Sequence, residues 1–586
     1  MKPVLAPFVP RQLLRARDRS TWLTEGTFVF ADISGFTKLS EQLAELGKAG
    51  AEELTVILNA TFDSLLGVAR REGGDLVKFG GDALLLFFEG EHHAERASRA
   101  AYGMRAALKA RGAVVTDRKR VVLRISMGVH SGLYLFVLAG QQQRELFVSG
   151  EHATTVTAME SAADAGEILL SPATASLVPP TWLGDVKGGG VLLRRVSAST
   201  SPMDHSDDHP DSDEDLAPFI PRAVRRRLLG GDHGAEHRHV TVAFVHVGGV
   251  DDLLREAGPD AVAERLAHIV DVTIEVADRH EVCLTASDVA GGGVKMILTA
   301  GVPDAVEDGE GRMLAVGRAL IDADLGLPVR VGVNTGHVFA GEVGAPWRRV
   351  YTVMGDAVNL SARLMAKAAP GQVVASRVAI ERSATPFETQ PLEPFLVKGK
   401  RLPQLASTVG RRIEGRGRTA LSNVDFVGRD EELAVLRAAL AGATAARGSC
   451  VQIVGEAGIG KSRLVQEVIR SAGSTRMVRL TCEPFSSDRP YFTARLLLRT
   501  ALGIGLDVGA TEAGALLVPW LEEHTPEWAQ FAPLLAVAIE AEVPKSLAVD
   551  DLGAGYRAGI LREAASAVLN AAFDHPLLVI VEDAMW

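Results

Sequence analysis

The amino-acid sequence predicts an α/β (α+β) fold in which two related domains are followed by a third α/β domain. Three observations support this prediction: an internal repeat, β-type apolar runs that alternate with helical stretches in both copies, and a glycine-rich loop between a strand-like and a helix-like segment. With 586 residues, the chain is longer than one hydrophobic core accommodates. Its 47% hydrophobic and 23% charged residues exclude fibrous and wholly disordered classes of protein.

The internal repeat shows first in a short motif, because APFVPR at residues 6–11 returns as APFIPR at residues 217–222. Two further pairs of segments match: the β-type apolar runs at residues 27–33 and 240–246, and GVHSG at residues 128–132 with GVNTG at residues 332–336. The order of the matching segments is the same in both copies. The sequence therefore predicts two related domains.

Two linkers are predicted to separate three domains. Residues 198–216 are rich in Ser, Asp, Pro and His, and bury too little apolar surface to offset their ordering entropy, so a flexible acidic linker is expected. Residues 411–425 form a basic, glycine-rich linker. The predicted domains span residues 1–197, 217–410 and 426–586, and the third is expected to be truncated after its final strand.

Charge and cysteine content narrow the class of protein. The chain has 62 Lys and Arg against 73 Asp and Glu, a net charge of −11, so no nucleic-acid partner is predicted. Its three cysteines form neither a disulfide framework nor a metal cluster, as expected in a reducing compartment. No apolar run approaches the roughly 20 residues of a membrane span. We expect a cytoplasmic protein without membrane contact, whose protein partners the sequence does not identify.

Two aspartates of the first domain are candidate metal ligands. Asp32 ends an apolar strand, and Asp82 lies in a tight Gly-Gly hairpin between two strands. Mg²⁺ prefers a few carboxylates together with phosphate oxygens and water, and two such ions assist phosphoryl transfer. Alternatively, either aspartate taken by itself is an ordinary turn or strand-end residue.

The strings around these aspartates, FADISGFT at residues 30–37 and KFGGDALLLF at residues 78–87, resemble class III nucleotidyl cyclases. In that family, ferredoxin-like βαββαβ domains dimerise and form the active site at their interface. The resemblance covers roughly residues 22–197 and 236–409. It implies that the two domains of this chain fold into an intramolecular pseudo-heterodimer.

The resemblance assigns the metal ions to the first domain. It implies that Asp32 and Asp82 bind two Mg²⁺ or Mn²⁺ ions, together with the backbone carbonyl of Ile33. In the second domain His246 replaces the first aspartate, and the hairpin is rewritten as AGGGVKM at residues 290–296. The second domain is therefore expected not to hold the ions.

The second domain instead keeps the groups that act on the transition state. Asn359 and Arg363 lie four residues apart, on one face of a predicted helix. The resemblance implies that Asn359 orients the ribose and that Arg363 stabilises charge on the α-phosphate. The first domain has Thr154 and Ala158 at the matching positions. Each domain thus lacks what the other supplies, which implies one competent and one degenerate site, as in soluble adenylyl cyclases.

Three more residues are candidate substrate contacts. Thr352 matches the family position that contacts adenine, although it could equally be a strand residue that bonds a neighbour. Lys398 and Lys400 are candidates for the terminal phosphates, or else a solvated surface pair. The purine-contacting lysine of the family matches Lys78 in the first domain, but Ala286 or a neighbour in the second.

The third domain carries a phosphate-binding loop. GEAGIGKS at residues 455–462 satisfies GxxxxGK[ST] between a predicted strand, residues 450–454, and a predicted helix, residues 461–471. Loop amides and the helix N-terminus bind phosphates, while the lysine approaches the β and γ phosphates and the serine offers its hydroxyl to Mg²⁺. The candidate ATP-binding residues are Gly455, Gly458, Gly460, Lys461 and Ser462.

The end of the chain supports the same assignment. The apolar strand LLVIVED resembles a Walker B motif with Glu582 and Asp583 as its acidic pair. Together with FVGRDEEL at residues 426–433, these motifs resemble the signal-transducing ATPases of the AAA-like, STAND type. The resemblance implies a P-loop NTPase domain that binds ATP.

The combined motifs predict a lyase that converts ATP into 3′,5′-cyclic AMP and pyrophosphate and carries a regulatory ATP-binding domain. The alternative is a catalytically weak or inactive cyclase pair that serves a signalling ATPase as a nucleotide-sensing or scaffold module. A guanylyl cyclase is a third possibility, although it usually has an acidic purine contact where Ala286 or Thr352 stands.

Overall fold

The protein is described by a computed structural model. The chain divides into two compact units, Met1–Ala420 and Leu421–Trp586, and the border falls within the predicted linker 411–425. The domain limits given above stay predictions. The structure describes residues 4–584 except 37–38, 41–42, 44–46, 81–82, 116–119, 198–212, 230–233, 307, 398–402, 414–427, 446, 456–458, 473–474, 483–490, 505–507, 509, 551, 574–575 and 583.

The first unit contains two copies of one sheet topology, which we name repeat one (residues 4–197) and repeat two (residues 213–413). The strands of repeat one are β1 (Thr21–Ser34), β2 (Asp75–Gly80), β3 (Ala83–Glu89), β4 (Ala113–Val115), β5 (Arg120–Val122), β6 (Arg124–Ala139), β7 (Glu145–Ser149), β8 (Ile168–Leu170), β9 (Leu183–Lys187) and β10 (Gly190–Leu193). Its α-helices are Arg11–Ala16, Gly47–Arg71, His93–Arg111, Glu151–Ala162 and Pro172–Ala175. The main sheet has the order β2-β3-β1-β6-β8-β10-β9, and β7 pairs with β6.

Repeat two has the same order, β12-β13-β11-β14-β16-β18-β17 with β15 paired to β14, once its strands are numbered along the chain. These strands are β11 (Glu236–Gly248), β12 (Cys283–Ala290), β13 (Gly293–Ala300), β14 (Val329–Ala345), β15 (Arg348–Met354), β16 (Val373–Ser376), β17 (Phe387–Pro391) and β18 (Ala406–Arg412). The helices are Asp213–Leu216, Arg222–Leu229, Val250–Arg279, Gly309–Asp322, Asp356–Lys367 and Arg377–Arg382. Every strand of the main sheet of repeat one thus has a counterpart, as the internal repeat predicts.

A helix packs directly on the long central strand of each sheet. A Cβ atom on Gly128 of β6 would lie 2.2 Å from the backbone nitrogen of Glu160, and one on Gly332 of β14 would lie 2.0 Å from that of Met365. Both distances are shorter than any contact a side chain tolerates, so only glycine allows these approaches. The matching glycines of GVHSG and GVNTG therefore fix the position of the helices Glu151–Ala162 and Asp356–Lys367.

The two long strands each belong to two hydrophobic cores. Val129 of β6 packs in the core of repeat one, whereas Leu135 and Val137, further along the same strand, pack in the core of repeat two. Reciprocally, Val333 of β14 packs in its own repeat, and Phe339 packs in the core of repeat one. The repeats therefore share their cores through β6 and β14.

The repeated APF(V/I)PR motifs are also exchanged between the repeats. The backbone nitrogen of Arg144, next to β7, donates to the carbonyl of Pro218 in the second motif at 2.7 Å. The buried Arg348 of β15 donates through Nη1 to the carbonyl of Pro7 in the first motif at 3.3 Å, and through Nε to the carbonyl of Leu76 in β2 at 3.0 Å. Burial lowers the pKa of Arg348 to about 10. Each motif therefore contacts the opposite repeat.

Ordered elements lie at the edges of both predicted linkers. Asp213–Leu216 at the end of the expected flexible segment is a short helix, because Leu216 is fully buried and Asp213 accepts a hydrogen bond from the backbone nitrogen of Leu5 at 2.8 Å. Arg411 and Arg412, assigned to the basic linker, lie in β18, where Arg412 pairs with Phe387 of β17. The remainder of both predicted linkers lies mostly outside the described residues.

The second unit combines a two-stranded parallel sheet with helices. Its strands are β19 (Arg476–Thr481) and β20 (Leu577–Glu582), and its helices are Asp430–Thr444, Lys461–Ser471, Phe492–Leu502, Ala510–His524, Ala532–Ile539, Leu547–Asp550 and Ala554–Ala572. The strand predicted at residues 450–454 is not formed: this segment has no strand pairing, and Val451 and Val454 are exposed by 43% and 81%. Among the described residues, no helix is both long and apolar enough to cross a lipid bilayer.

The shared cores give a stability prediction. Leu135→Ala should lower the free energy of unfolding of the first unit by about 2–5 kcal/mol, because it leaves a cavity in a core built from both repeats. The side chain of Leu133, two residues earlier on β6, is 51% exposed, so Leu133→Ala should change stability by less than about 0.5 kcal/mol. Urea denaturation of both variants checks the difference. Equal midpoints would contradict the assignment of Leu135 to the shared core.

Candidate active site

One cavity of about 180 Å³ lies between the two repeats and receives side chains from both. Repeat one contributes the β1 residue Asp32 and the β2–β3 residues Gly80 and Ala83. Repeat two contributes Thr352 of β15 and Asn359 of the helix Asp356–Lys367. Residues from separate parts of the sequence that were predicted to act together are therefore brought to one place.

The side of the cavity that was predicted to bind metal ions is partly described. Asp32 is half-buried and pairs across the sheet with Ala83, while Ile33 is fully buried and pairs with Ile125 of β6. Asp82 lies outside the described residues. In the described part of the chain, no group of three or more His, Cys, Asp or Glu side chains is arranged to hold a metal ion. Carboxylate oxygens are nevertheless the donors that Mg²⁺ prefers, and substrate phosphates and water complete such sites.

The side that was predicted to bind substrate comes from repeat two. Thr352 is 9% exposed and pairs with Gly341 of β14, and Asn359 lies in the first turn of a helix that begins after Gly355. Gly355 has a φ of 146°, which favours glycine at this sharp strand-to-helix connection. The connection directs the helix N-terminus, and with it Asn359, toward the cavity.

The other predicted substrate residues are not brought to the cavity wall. Arg363 lies one helical turn after Asn359 and is half-buried, but the cavity is lined by the preceding residue, Ala362, instead. Lys398 and Lys400 lie outside the described residues. The structure thus unites Asp32, Thr352 and Asn359, whereas the phosphate contacts stay predictions.

The register of the sheets identifies counterpart positions in the two repeats. Phe30 pairs with Gly128, and Phe244 pairs with Gly332, so Asp32 corresponds to His246.

The same register extends to the neighbouring hairpin. Lys78 pairs with Leu85, which faces Phe30, and Ala286 pairs with Ile297, which faces Phe244; a β-bulge precedes both Lys78 and Ala286. The register therefore equates Lys78 with Ala286.

Two charged residues of the cavity wall were missed by the sequence analysis. Asp288 of β12 and Lys295 of β13 form a cross-strand ion pair with 3.1 Å between Oδ2 and Nζ. The sheet register gives Gly80 and Ala83 as their counterparts in repeat one, and β12 and β13 extend two residues further toward their turn than β2 and β3 do. An alignment of the two glycine turns hides this difference. The sheet register, in which Phe244 pairs with Ile297, instead places Lys295 beside the cavity.

At the counterpart position, which was predicted to be degenerate, protein groups bind one another. Lys78 donates to Oγ of Ser287 at 2.6 Å, and Ser287 donates to Glu145 at 2.6 Å. Burial lowers the pKa of the Lys78 ammonium, and the nearby Glu145 carboxylate opposes that shift. A smaller cavity of about 100 Å³ adjoins these groups, and Phe8 and Phe219 of the two repeated motifs line it.

The residue of repeat one that corresponds to Asn359 is also hydrogen-bonded to protein groups. Thr154, in the first turn of the matching helix in repeat one, donates to Oδ2 of Asp251 at 2.8 Å and accepts from the backbone nitrogen of Gly292 at 2.9 Å. Both partners belong to repeat two. Thr154 therefore bonds groups of the opposite repeat at the position that corresponds to Asn359 in the other cavity.

The phosphate-binding loop is partly described. The helix Lys461–Ser471 begins directly after Gly460, whose φ is 98°, and Lys461 donates to the carbonyl of Gly455 at 2.7 Å. Ser462 lies in the first turn of this helix, and Glu582 ends β20. Gly458 and Asp583 lie outside the described residues.

Comparisons with known proteins agree with this organisation. A family model described as "Adenylate and Guanylate cyclase catalytic domain" matches residues 22–184 and 234–409, and one described as "AAA ATPase domain" matches residues 425–586. Adenylate cyclase type 10 of Oryctolagus cuniculus is 24% identical over 543 residues, which cover 82% of this chain and 33% of that protein. An uncharacterized protein of Mycobacterium tuberculosis is 32% identical over 157 residues, or 26% of this chain and 28% of that protein.

Among solved structures, a class III adenylyl cyclase-like ATP-binding protein from Pseudomonas aeruginosa is 14% identical with a TM-score of 0.46, covering 62% of this chain and 85% of that one. The chain spans about a third of the length of adenylate cyclase type 10. The two segments matched by the cyclase model make up more than half of the chain. The protein therefore belongs to the adenylate and guanylate cyclase family, with two catalytic domains in tandem followed by an AAA ATPase domain.

Proposed function

We propose that the protein is an adenylate cyclase that converts ATP into 3′,5′-cyclic AMP and pyrophosphate at one site between the repeats. The observation that carries this proposal is the single cavity lined by Asp32 of repeat one and by Thr352 and Asn359 of repeat two. The similarity to adenylate cyclase type 10 over 82% of the chain supports ATP as the substrate. We further propose that ATP binding to the third domain regulates this activity.

In this reaction the ribose 3′-oxygen forms a bond to the α-phosphorus, and the bond from that phosphorus to the pyrophosphate oxygen breaks. The 3′-hydroxyl gives its proton to solvent. Asp32 and Asp82, with the carbonyl of Ile33, are the groups that would hold the divalent ions. When bound, such ions activate the attacking hydroxyl and neutralise charge on the leaving pyrophosphate.

The residues of repeat two position the nucleotide. The Thr352 hydroxyl can donate and accept hydrogen bonds, so it can contact the edge of the base. Asn359 offers an amide to the ribose, and Arg363, one turn further along the helix, provides a long cationic side chain for the α-phosphate. Charge stabilisation of this kind in a closed site is usually the largest catalytic contribution.

A second function is favoured by one specific observation. Ala286 stands where repeat one has Lys78, so the β12 strand offers no cation to the base. A catalytically weak pair that senses nucleotide for a signalling ATPase would need no such group. Incubating the purified protein with Mn²⁺ and either ATP or GTP, and measuring cyclic product, distinguishes the two functions and tests the choice of base.

The metal-binding role of Asp32 predicts a large loss of activity. Asp32→Asn keeps the shape of the side chain but removes the charge that would hold a cation, so cyclic AMP formation should fall at least a hundredfold, or about 2.7 kcal/mol in transition-state stabilisation. Asp252→Asn, at a carboxylate that is 68% exposed, is the matched control and should keep full activity. Retained turnover in Asp32→Asn would refute the assignment.

The asymmetry between the repeats predicts unequal effects at counterpart positions. Asn359→Ala should lower cyclase activity about a hundredfold, because it removes a group that acts on the ribose in the transition state. Thr154→Ala, at the counterpart position in repeat one, should change activity by less than about threefold, since no substrate is expected there. Steady-state kinetics of both variants checks the difference. Similar losses would mean that both positions serve catalysis.

The phosphate-binding loop is predicted to bind ATP independently of the cyclase site. Lys461→Ala should weaken ATP binding by the third domain at least tenfold, because charge-assisted contacts to phosphate contribute about 1.5–3 kcal/mol each. Photo-crosslinking of the full chain with an azido-ATP analogue, followed by peptide mapping, separates the two sites. Lys545→Ala, at an exposed lysine of the same unit, is the control. Unchanged labelling of residues 425–586 in Lys461→Ala would contradict the prediction.

A further inference from the structure

The ion pair between Asp288 and Lys295 lies in the wall of the cavity proposed to bind substrate, which is an unusual position for an ion pair. The side chain of Asp288 is 9% exposed and that of Lys295 is 23% exposed. Removing charges from water is costly, and hydrophobic residues of similar size would stabilise such a site at least as well. A stabilising role alone therefore does not explain the pair.

The pair is held in a fixed orientation. Oδ1 of Asp288 accepts a hydrogen bond from the backbone nitrogen of Val289 at 2.8 Å, and Oδ2 pairs with the ammonium of Lys295. Asp288 and Lys295 are also cross-strand partners, so their side chains leave the sheet on the same face. Rotation of the carboxylate would break both contacts.

The ion pair lies beside a space that the small side chain of Ala286 leaves open. Ala286 lies two residues before Asp288 on the same face of β12, and it lines the cavity together with Thr352. Across the cavity, a Cβ atom on Gly80 of repeat one would lie only 3.2 Å from Oδ2 of Asp288. The small residues at these two positions leave a space that Asp288, Lys295 and Thr352 border, together with Thr285.

The chemistry of these three groups selects the part of a nucleotide that fits. Among the described residues that line the cavity, Lys295 is the one cationic side chain. A phosphate group beside the Asp288 carboxylate would be repelled, whereas a purine edge presents a hydrogen-bond acceptor next to a donor. An ammonium, a carboxylate and a hydroxyl together match that alternating pattern.

We infer that Asp288 and Lys295 bind the edge of the purine base, with Lys295 donating to a ring or exocyclic acceptor and Asp288 accepting from the neighbouring amine or imino group. Strand β13 thus supplies the cation that Ala286 of β12 does not offer. This inference rests on the proposed function, since it concerns the same cavity and the same substrate.

The test measures binding rather than turnover. Calorimetry would use the full chain with Lys461→Ala, so that the phosphate-binding loop does not contribute, and α,β-methylene-ATP with Mg²⁺, in which the bond that must break is replaced. Lys295→Met should weaken binding at least tenfold. Asp288→Leu combined with Lys295→Met removes both charges without leaving a buried carboxylate unpaired, and it should show the same loss with an unchanged melting temperature.

A second probe separates base recognition from phosphate recognition. Inorganic tripolyphosphate with Mg²⁺ lacks a base, so its affinity should be the same in the parent chain and in both variants. Unchanged nucleotide binding in the double variant would reduce the pair to a structural contact and overturn the inference. An equal loss of tripolyphosphate binding would overturn it as well, because Lys295 would then contact phosphate.

The outcome is independent of whether the protein turns over ATP. If the parent chain binds the analogue but forms no cyclic AMP from ATP, the proposed cyclase activity fails, and the binding data still decide the role of Asp288 and Lys295. If the variants lose nucleotide binding while cyclic AMP formation by the parent chain is robust, both proposals are supported.

Discussion

The sharing of β6 and β14 between two hydrophobic cores is the constraint on which the rest of the first unit depends. Each strand begins in the core of its own repeat and ends in the core of the other, so neither repeat can complete its interior alone. Because side chains alternate along a strand, a shift of one residue would turn every buried group outward. The shared strands therefore fix the register that places Asp32 opposite Thr352 and Asn359 across one cavity.

Pseudo-symmetry makes the differences between the repeats informative. Where one cavity presents Asn359, the counterpart Thr154 bonds Asp251 of the other repeat, and Lys78 bonds Ser287. Polar groups at the interface must be bonded either to protein or to a ligand, since leaving them buried and unpaired is costly. On the side of Thr154 and Lys78 these groups are bonded to protein, which agrees with the proposal that the substrate binds on the other side.

Much of this organisation was predictable because it depends on local patterns. The apolar runs predicted β1 and β11, the strand-end and helix motifs predicted Asp32, Thr352 and Asn359, and the structure brings these residues to one cavity.

The features that were missed depend on non-local contacts. The helix Asp213–Leu216 forms because Leu216 enters the shared core, and no local pattern indicates such burial. Asp288 and Lys295 were overlooked because their register depends on the length of the hairpin, which strand pairing sets and the local sequence does not.

Charge pattern alone would select the smaller cavity for a nucleotide, contrary to the proposed function. The smaller cavity is lined by Lys78, Arg144 and Arg348 with one carboxylate, whereas the larger one has Asp32, Asp288 and a single lysine among its described residues. Yet the basic groups already have partners: Arg144 and Arg348 donate to backbone carbonyls and Lys78 to Ser287. A polyanion would have to replace those bonds, while in the acidic cavity it needs only the divalent cations that carboxylates attract. The divalent cations that carboxylates attract, more than the sign of the charge on the cavity wall, therefore support the proposed placement of the nucleotide in the larger cavity.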